Sequence, residues 1–237
     1  MKNIYIIRHA ETDEKNDLHM SQSQDTPLND NGKKQARITG QYFKKYKDLK
    51  NLIIISSPVL RCKQTAEIIA DVLTYDKKNI IYEDKISEIK MNDKYKNLNK
   101  SEFKSLRTTD ENVKNFFKFH DKKSKIKNPI QLNEFLINYE SKRDNDVYES
   151  VESISTRLLN FVQPLKDLPF TDIMIITHRG ICKWLNRMLI NNVGQSEFNG
   201  PLVNNNTNCA ISYYIYQGDD IYLVSPQSNY HLKDDKL

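Results

Sequence analysis

The sequence predicts a three-layer α/β protein, in which helices cover both faces of a mostly parallel β-sheet. Short apolar runs rich in Ile and Tyr alternate along the chain with longer segments whose apolar residues recur at helical spacing. Strands that alternate with helices in this way are joined by crossover connections and lie parallel in one sheet. The 237 residues are enough for one such domain with an insertion.

Each predicted strand is a short run of apolar residues, mostly β-branched or aromatic, bounded by polar or turn residues. A continuous apolar run is typical of a strand that is buried on both faces. The turn sequence Gln-Gly-Asp-Asp at residues 217–220 separates the last two runs and predicts a terminal hairpin. The predicted strands are residues 3–8, 52–56, 79–82, 172–177, 209–216 and 221–225.

The predicted helices lie between these strands, and each has one apolar face. Asn29 or Asp30 can cap the first helix, because short polar side chains accept hydrogen bonds from the first backbone N–H groups of a helix. Ala36, Phe43 and Tyr46 are predicted to lie on the inner face of that helix. The predicted helices are residues 30–47, 59–73, 151–165 and 180–190.

Residues 90–146 have a different composition, charged and helix-prone with weak apolar periodicity. We predict a lysine-rich helical insertion within a single domain of residues 1–237, either inert or acting as a lid whose positive charge attracts anionic substrates. Residues 90–127 contain 12 Lys and Arg against 5 Asp and Glu. Their aromatic residues fall at helical spacing, which favours a solvated face over a nucleic-acid interface.

The composition also bears on the cellular compartment and on whether the chain binds a metal or a membrane. Cys62, Cys182 and Cys209 show neither a C-x-x-C spacing nor a histidine at metal-ligand spacing, so we predict reduced core thiols and no metal. The chain has no secretory apolar region and nothing approaching 18 consecutive apolar residues, so we expect a cytoplasmic protein that has no membrane partner. His19, His120 and His231 are expected at the surface.

Charged and nucleophilic residues follow several predicted strands, at the edge where parallel α/β sheets bind ligands. Arg8 and His9 end the first strand, Arg61 follows the second, and His178 follows the fourth. Guanidinium groups bind phosphoryl oxygens through paired N–H donors, and a histidine at a helix N-terminus adds a further donor. His9 is then the candidate nucleophile, because flanking cations favour its neutral ring.

A leaving alkoxide needs a proton, and Glu88, just after the third predicted strand, is the candidate donor. A carboxyl group that is partly withdrawn from water can donate near neutral pH. Together these residues predict a site for a phosphate dianion, in which phosphoryl transfer to a histidine divides a very slow hydrolysis into two steps.

Five segments resemble, in order and spacing, the motifs of the histidine phosphatase superfamily, the phosphoglycerate-mutase-like proteins. Residues 8–12 resemble Arg-His-Gly-Glu-Thr, and residues 26–36 resemble Pro-Leu-Thr-x-x-Gly-x-x-Gln-Ala. Residues 56–66 resemble Ser-Ser-Pro-x-x-Arg-x-x-Gln-Thr-Ala. Residues 148–150 resemble Gly-Glu-Ser, and residues 175–180 resemble the strand end that carries the second histidine.

The resemblance implies a phosphoglycerate-mutase-like fold and a cofactor-independent phosphohistidine mechanism. In this interpretation His9 is the nucleophile, Glu88 is the proton donor, and Arg8, Arg61 and His178 bind the phosphate, with His178 counted among the catalytic residues. Glu149 is a candidate pocket or supporting residue. Four further residues are possible substrate contacts, although the first two could instead shape the loop: Glu11, Thr12, Asn16 and Arg179.

The sequence departs from the family pattern in four places. Ala10 stands where glycine is usual, and Lys15 stands where an Asn is common, with Asn16 next. The family's Gly-x-Trp-Glu-Gly is absent after Glu88, and Arg179 replaces a small residue after the second histidine.

The leading functional hypothesis is a phosphatase that acts on a small phosphorylated metabolite, with a phosphoprotein as the lesser alternative. The main rival is a 2,3-bisphosphoglycerate-dependent phosphoglycerate mutase. The mutases carry an Arg-Tyr-Glu-Arg-Arg-like run with prolines after the acid, and here the nearest basic piece is Ser141-Lys142-Arg143-Asp144. The distant alternative is a catalytically silent phosphate-binding protein, which would have no need of the nucleophile.

Overall fold

A computed structural model describes residues 1–13, 26–125, 147–191 and 207–233. The strands are β1 Lys2–Arg8, β2 Leu52–Ser56, β3 Ile81–Tyr82, β4 Asp172–Thr177, β5 Ile211–Gln217 and β6 Asp220–Ser228. The helices described are α1 Asp30–Tyr46, α2 Leu60–Leu73, α3 Lys100–Ser105, α4 Glu111–Lys125, α5 Val151–Val162 and α6 Arg179–Asn191.

The six strands form one sheet in the order β3-β2-β4-β1-β5-β6. The strands β3, β2, β4 and β1 run parallel, whereas β5 and β6 are antiparallel to their neighbours. Arg8 pairs with Thr177 at the carboxyl end, so β1 and β4 finish at the same level. The predicted α/β class with a mostly parallel sheet is therefore confirmed.

The sheet is buried on both faces, which explains why its strands are continuous apolar runs. Successive side chains of a strand point to opposite faces. Ile4 and Ile6 of β1 belong to a core cluster with residues of α5 and α6, such as Leu158 and Leu185. The alternate residues of β1, Tyr5 and Ile7, belong to a second cluster on the other face of the sheet. That cluster includes Phe43 of α1 and Ile69 of α2.

Two sequence predictions about local structure were wrong. The third strand is only Ile81–Tyr82, because the preceding residues form a 3₁₀ turn, Lys77–Asn79, whose first N–H groups are capped by Asp76. Tyr46 was predicted on the inner face of α1, but it is half exposed in the last turn of that helix. Ala36 and Phe43 of the same helix are fully buried, as predicted.

His231 also differs from its prediction, because it is buried rather than at the surface. Its Nε2 lies 3.0 Å from the hydroxyl of Thr39, and that hydroxyl donates to the carbonyl of Gln35, so the ring nitrogen is the donor. Burial lowers the pKa of His231 to about 4, so the ring is neutral. His19 and the side chain of His120 lie outside the described residues.

The inserted segment contains α3 and α4 and has a small apolar cluster of its own. Tyr95, Phe103 and Val113 are fully buried in this cluster. Tyr148, just after the insertion, pairs with Met91 near its start, so the two ends of the insertion lie side by side. Residues 126–146 of the predicted insertion lie outside the described residues, and its role as a lid stays a prediction. Across the described ranges, no helix has the length and apolar character needed to cross a membrane.

Candidate active site

The carboxyl ends of three neighbouring strands bring the predicted histidines together. The strand β4 lies between β2 and β1. Hydrogen bonding continues past the strand ends, since His9 N donates to Thr177 O at 2.8 Å and Ser57 N donates to Ile176 O at 2.9 Å. His178 follows β4 directly. The ring centroids of His9 and His178 are consequently 5.4 Å apart.

The ring of His9 is oriented by a single backbone carbonyl. His9 Nδ1 lies 2.7 Å from the carbonyl oxygen of Ala10, which can only accept, so Nδ1 carries the proton and Nε2 carries the lone pair. Burial, followed by the charges of Arg61 and Arg8, lowers the pKa of His9 to about 3. The ring is therefore neutral near pH 7, in the tautomer that a nitrogen nucleophile requires.

Ala10, which stands in place of the usual glycine, fits this loop without occupying the site. Its methyl group belongs to a buried apolar cluster with Leu28, Ala36 and Cys209. Its backbone N–H donates to Thr65 Oγ1 at 3.0 Å. The side chain thus packs toward the core, and the loop keeps the carbonyl that orients His9.

The ring of His178 is fully buried and is held by two side chains. Arg61 Nη2 lies 3.2 Å from Nδ1, and a guanidinium can only donate, so Nδ1 accepts and Nε2 carries the proton. Nε2 lies 2.9 Å from Ser57 Oγ. Burial, with His9 and then Arg61, lowers the pKa of His178 well below its usual value. For His178 to bind phosphate, its Nε2–H must therefore leave the hydroxyl of Ser57 and donate to a phosphoryl oxygen instead.

The two predicted arginines flank the histidines. Arg61, in the first turn of α2, is 3% exposed, whereas Arg8 at the end of β1 is half-buried. The charges of both lower the pKa of His9. Arg179 is exposed, and its charge lowers the pKa of Arg8, an effect second only to that of burial. A dianion bound between such cations would relieve their repulsion.

Glu88 is held at the N-terminus of α6, beside His178. Its Oε2 accepts from Gly180 N at 3.2 Å, and its Oε1 accepts from Ile89 N at 3.0 Å. Its charge also raises the pKa of Arg8 against the larger lowering by burial. The carboxyl group thus has a defined position at the same sheet edge as His9.

Gly180 leaves the space that Glu88 occupies. A Cβ at position 180 would lie 2.4 Å from Glu88 Oε1. We expect Gly180→Ala to lower kcat/KM by about 10²-fold, the loss typical of a displacement near 1 Å at a reacting group. The measurement is steady-state hydrolysis of an alkyl phosphate.

Gly40→Ala is the matched control for that substitution. A Cβ at this second helical glycine would lie 2.8 Å from Val72 Cβ, away from the strand ends. This variant should lose stability and keep its kcat/KM. Equal kinetics for the two variants would show that the space beside Glu88 has no role in turnover.

Glu11 and Thr12 are placed by the structure in the loop itself. The carboxylate of Glu11 accepts from Asn29 Nδ2 at 2.9 Å and from Asn31 Nδ2 at 2.8 Å, which ties the loop to the start of α1. A Cβ on Gly32 would lie 2.0 Å from Glu11 O, so this glycine permits the approach. Thr12 is buried and pairs with Leu28. Asn16 lies outside the described residues.

Sequence reasoning missed several supporting contacts. Thr65 supports the backbone of Ala10, Ser57 orients His178, and Asn208 Nδ2 donates to His9 O at 2.9 Å. Ser57 and Thr65 stand inside the motif at residues 56–66, which was the available signal. Nothing in the sequence around Asn208 indicates its contact. Within the described ranges, no three His, Cys, Asp or Glu side chains form a group that could hold a metal ion.

Comparison with known proteins agrees with this geometry. The family model of the histidine phosphatase superfamily (branch 1) matches residues 4–228. An uncharacterized phosphatase of Bacillus subtilis, PhoE, is 42% identical over 73 residues, which are 31% of this chain and 36% of PhoE. The aligned stretch therefore spans about a third of that relative.

Two solved structures cover nearly the whole chain. The alpha-ribazole phosphatase from Shigella flexneri has a TM-score of 0.66 at 18% identity, covering 95% of this chain and 96% of its own. A phosphoglycerate mutase from Bacillus anthracis has a TM-score of 0.67 at 17% identity, covering 98% of this chain and 95% of its own. The fold is thus similar to that of phosphatases and of a mutase alike.

Proposed function

The chain belongs to the histidine phosphatase superfamily, and from this premise we propose that it hydrolyses phosphomonoesters through a phosphohistidine on His9. One observation carries the proposal. The buried ring of His9 is neutral, and its Nδ1–H donates to the carbonyl of Ala10, which leaves the lone pair on Nε2. The positive charges of Arg61 and Arg8 disfavour protonation of the ring. These are the requirements of a nitrogen nucleophile that attacks an anionic phosphoryl group.

In the first step His9 Nε2 bonds to phosphorus while the ester P–O bond breaks. Arg8 and Arg61 hold the charge on the phosphoryl oxygens, and Glu88 gives its proton to the leaving oxygen. The phosphorylated ring keeps its Nδ1–H and becomes cationic. The carbonyl of Ala10 stabilises that cation, because it accepts the same hydrogen bond before and after the transfer.

In the second step a water molecule attacks phosphorus and the N–P bond breaks. Glu88, now a carboxylate, accepts the proton of that water, so the carboxyl group returns to its initial state. His9 regains its lone pair, and inorganic phosphate leaves. No group outside the chain, the ester and water is needed for this balance.

The substrate class that we propose is a small phosphorylated metabolite, with a phosphoprotein as the lesser alternative. The phosphoglycerate mutase activity is the rival, since a mutase has a similar fold. A mutase must hold the phosphohistidine away from water while its intermediate reorients. Hydrolysis is favoured because the chain lacks the Arg-Tyr-Glu-Arg-Arg-like run of the mutases.

Two assays on the same preparation separate these functions. We expect inorganic phosphate to be released from at least one member of a panel of phosphorylated metabolites, ranked by kcat/KM. We expect no interconversion of 3- and 2-phosphoglycerate in the presence of 2,3-bisphosphoglycerate. Interconversion that is faster than phosphate release would favour the mutase, and activity in neither assay would favour a silent phosphate-binding protein.

A further inference from the structure

We propose that the ion pair between Glu149 and Arg157 positions the proton donor Glu88, by pinning the loop that carries Glu88 on both sides. Glu149 and Arg157 act in this inference as positioning residues, since neither is placed against the reacting atoms. The inference rests on the proposed function, because it concerns the proton transfer of the same reaction.

The pair is built as a rigid, shielded unit. Arg157 Nε donates to Glu149 Oε1 and Arg157 Nη2 donates to Glu149 Oε2, both at 2.8 Å. Such a two-bond geometry fixes the relative orientation of the two groups. The side chains are 17% and 8% exposed, so water competes little for these bonds. Burial raises the pKa of Glu149, but the hydrogen bonds from Arg157, Ser153 and the Lys90 N–H, together with the charge of Arg157, outweigh it, so the net pKa is lowered and the carboxylate stays charged.

Each partner also bonds to the backbone of the loop, on opposite sides of Glu88. Arg157 Nη1 donates to the carbonyl of Lys85, three residues before Glu88. Glu149 Oε2 accepts from Lys90 N at 3.4 Å, two residues after it, and Glu149 N donates to Lys90 O at 2.8 Å. The ion pair therefore spans the loop and holds one of its ends to the second turn of α5 and the other to the residues just before that helix.

Two further contacts hold the loop between those ends. Thr177 Oγ1 donates to Ile86 O at 2.6 Å, which fixes the loop to the end of β4. Between the pinned positions, Glu88 reaches the N–H of Gly180 at 3.2 Å, a hydrogen bond that is long for a carboxylate. A loop released at either end would let the carboxyl group move from this position, while the histidines and arginines are held by other elements.

The experiment compares an ester that needs a proton donor with one that does not. Glycerol phosphate loses an alkoxide, which requires protonation, whereas p-nitrophenyl phosphate loses a phenolate that is stable as an anion. For Glu149→Gln we expect kcat/KM to fall by about 10-fold or more with glycerol phosphate, and by less than about 2-fold with p-nitrophenyl phosphate. Glu88→Gln should show the same selectivity to a greater degree, and the double variant should lose no more than Glu88→Gln alone.

Asp110→Asn is the matched control. Asp110 is also a carboxylate in an ion pair, with Lys94 at 2.6 Å, and its side chain is equally 8% exposed, but it lies within the insertion. This variant should treat both esters as the wild type does. If Glu149→Gln does not fold, Arg157→Lys repeats the test with the charge retained.

Equal loss on both esters, or no loss on either, would overturn the inference while leaving the hydrolase proposal intact. A wild-type protein that hydrolyses neither ester, nor any metabolite of the panel, would instead overturn the proposed function and this inference with it.

Discussion

Replacing His9 by alanine is expected to lower turnover by about 10⁴-fold or more, the scale seen when a covalent nucleophile is removed. The reason is that, in the proposed mechanism, Nε2 of His9 is the atom that bonds to phosphorus, and the neighbouring histidine of the described site cannot take its place. His178 has both ring nitrogens engaged by Arg61 and Ser57. The measurement is kcat with the best ester of the panel, with rapid quenching to trap the phosphoenzyme.

The trapped label should be labile in acid and stable in base, as a phosphorus–nitrogen bond is, and it should be absent from His9→Ala. His231→Ala is the control, because it also removes a buried, neutral histidine. That variant should lose stability through the bond to Thr39 but retain the label. A label that survives in His9→Ala would move the nucleophile to another residue.

Replacing Arg61 by alanine is expected to lower kcat/KM by about 10³-fold, the lower end of what a single arginine contributes to phosphoryl transfer. Arg61 is 3% exposed and donates to His178, so its removal takes away a proposed phosphate ligand and also leaves the ring of His178 less fixed. Arg61→Lys keeps the charge but not the planar pair of donors, and we expect a loss of about 10²-fold. Steady-state kinetics on the three proteins measures both losses.

The same substitution should change the ionisation of His9. Burial has the largest effect in lowering the pKa of His9 to about 3, and the charge of Arg61 has the next largest. Removing the guanidinium should therefore raise that pKa. His9 would then become protonated at a higher pH in Arg61→Ala, and the acid fall of kcat/KM would move upward. Titration of the His9 ring by NMR measures the shift directly.

Arg187→Lys provides the control for Arg61. Burial lowers the pKa of Arg187 as it does for an arginine in the site, but Arg187 lies eight residues along α6 from Arg179, about 12 Å in a helix. Its kinetics and the ionisation of His9 should match the wild type. A parallel loss in Arg187→Lys would mean that both effects reflect general destabilisation.

The sheet was predictable from the sequence because its strands are buried on both faces. β2 and β4 read as continuous apolar runs, and their bounds agree with the prediction at both ends. β3 was not predictable to the same accuracy, because it is an exposed edge strand of two residues that follows a capped turn. The burial of His231 depends on a partner, Thr39, that lies 192 positions away in the chain.

The site was predictable as a set of residue types at strand ends, but its chemistry depends on backbone atoms that no motif reveals. The tautomer of His9 follows from the carbonyl of Ala10, and that of His178 follows from the side chains of Arg61 and Ser57. Glu149 was predicted as a pocket or supporting residue, but its partners could not be predicted, because its contacts with Arg157 and Lys90 arise from the return of the inserted segment.

The position of β1 inside the sheet has a consequence for how the protein acquires activity during synthesis. The strand β1, which ends beside the proposed nucleophile, is made before its neighbours β4 and β5, and the carbonyl of His9 accepts from Asn208, 199 positions later. Pairings between such distant positions form slowly, since the intervening chain must lose much freedom before the contact forms. A ribosome must therefore translate 199 further residues after His9 before the contact with Asn208 can form, and chaperones can bind the apolar surface of β1 during that interval.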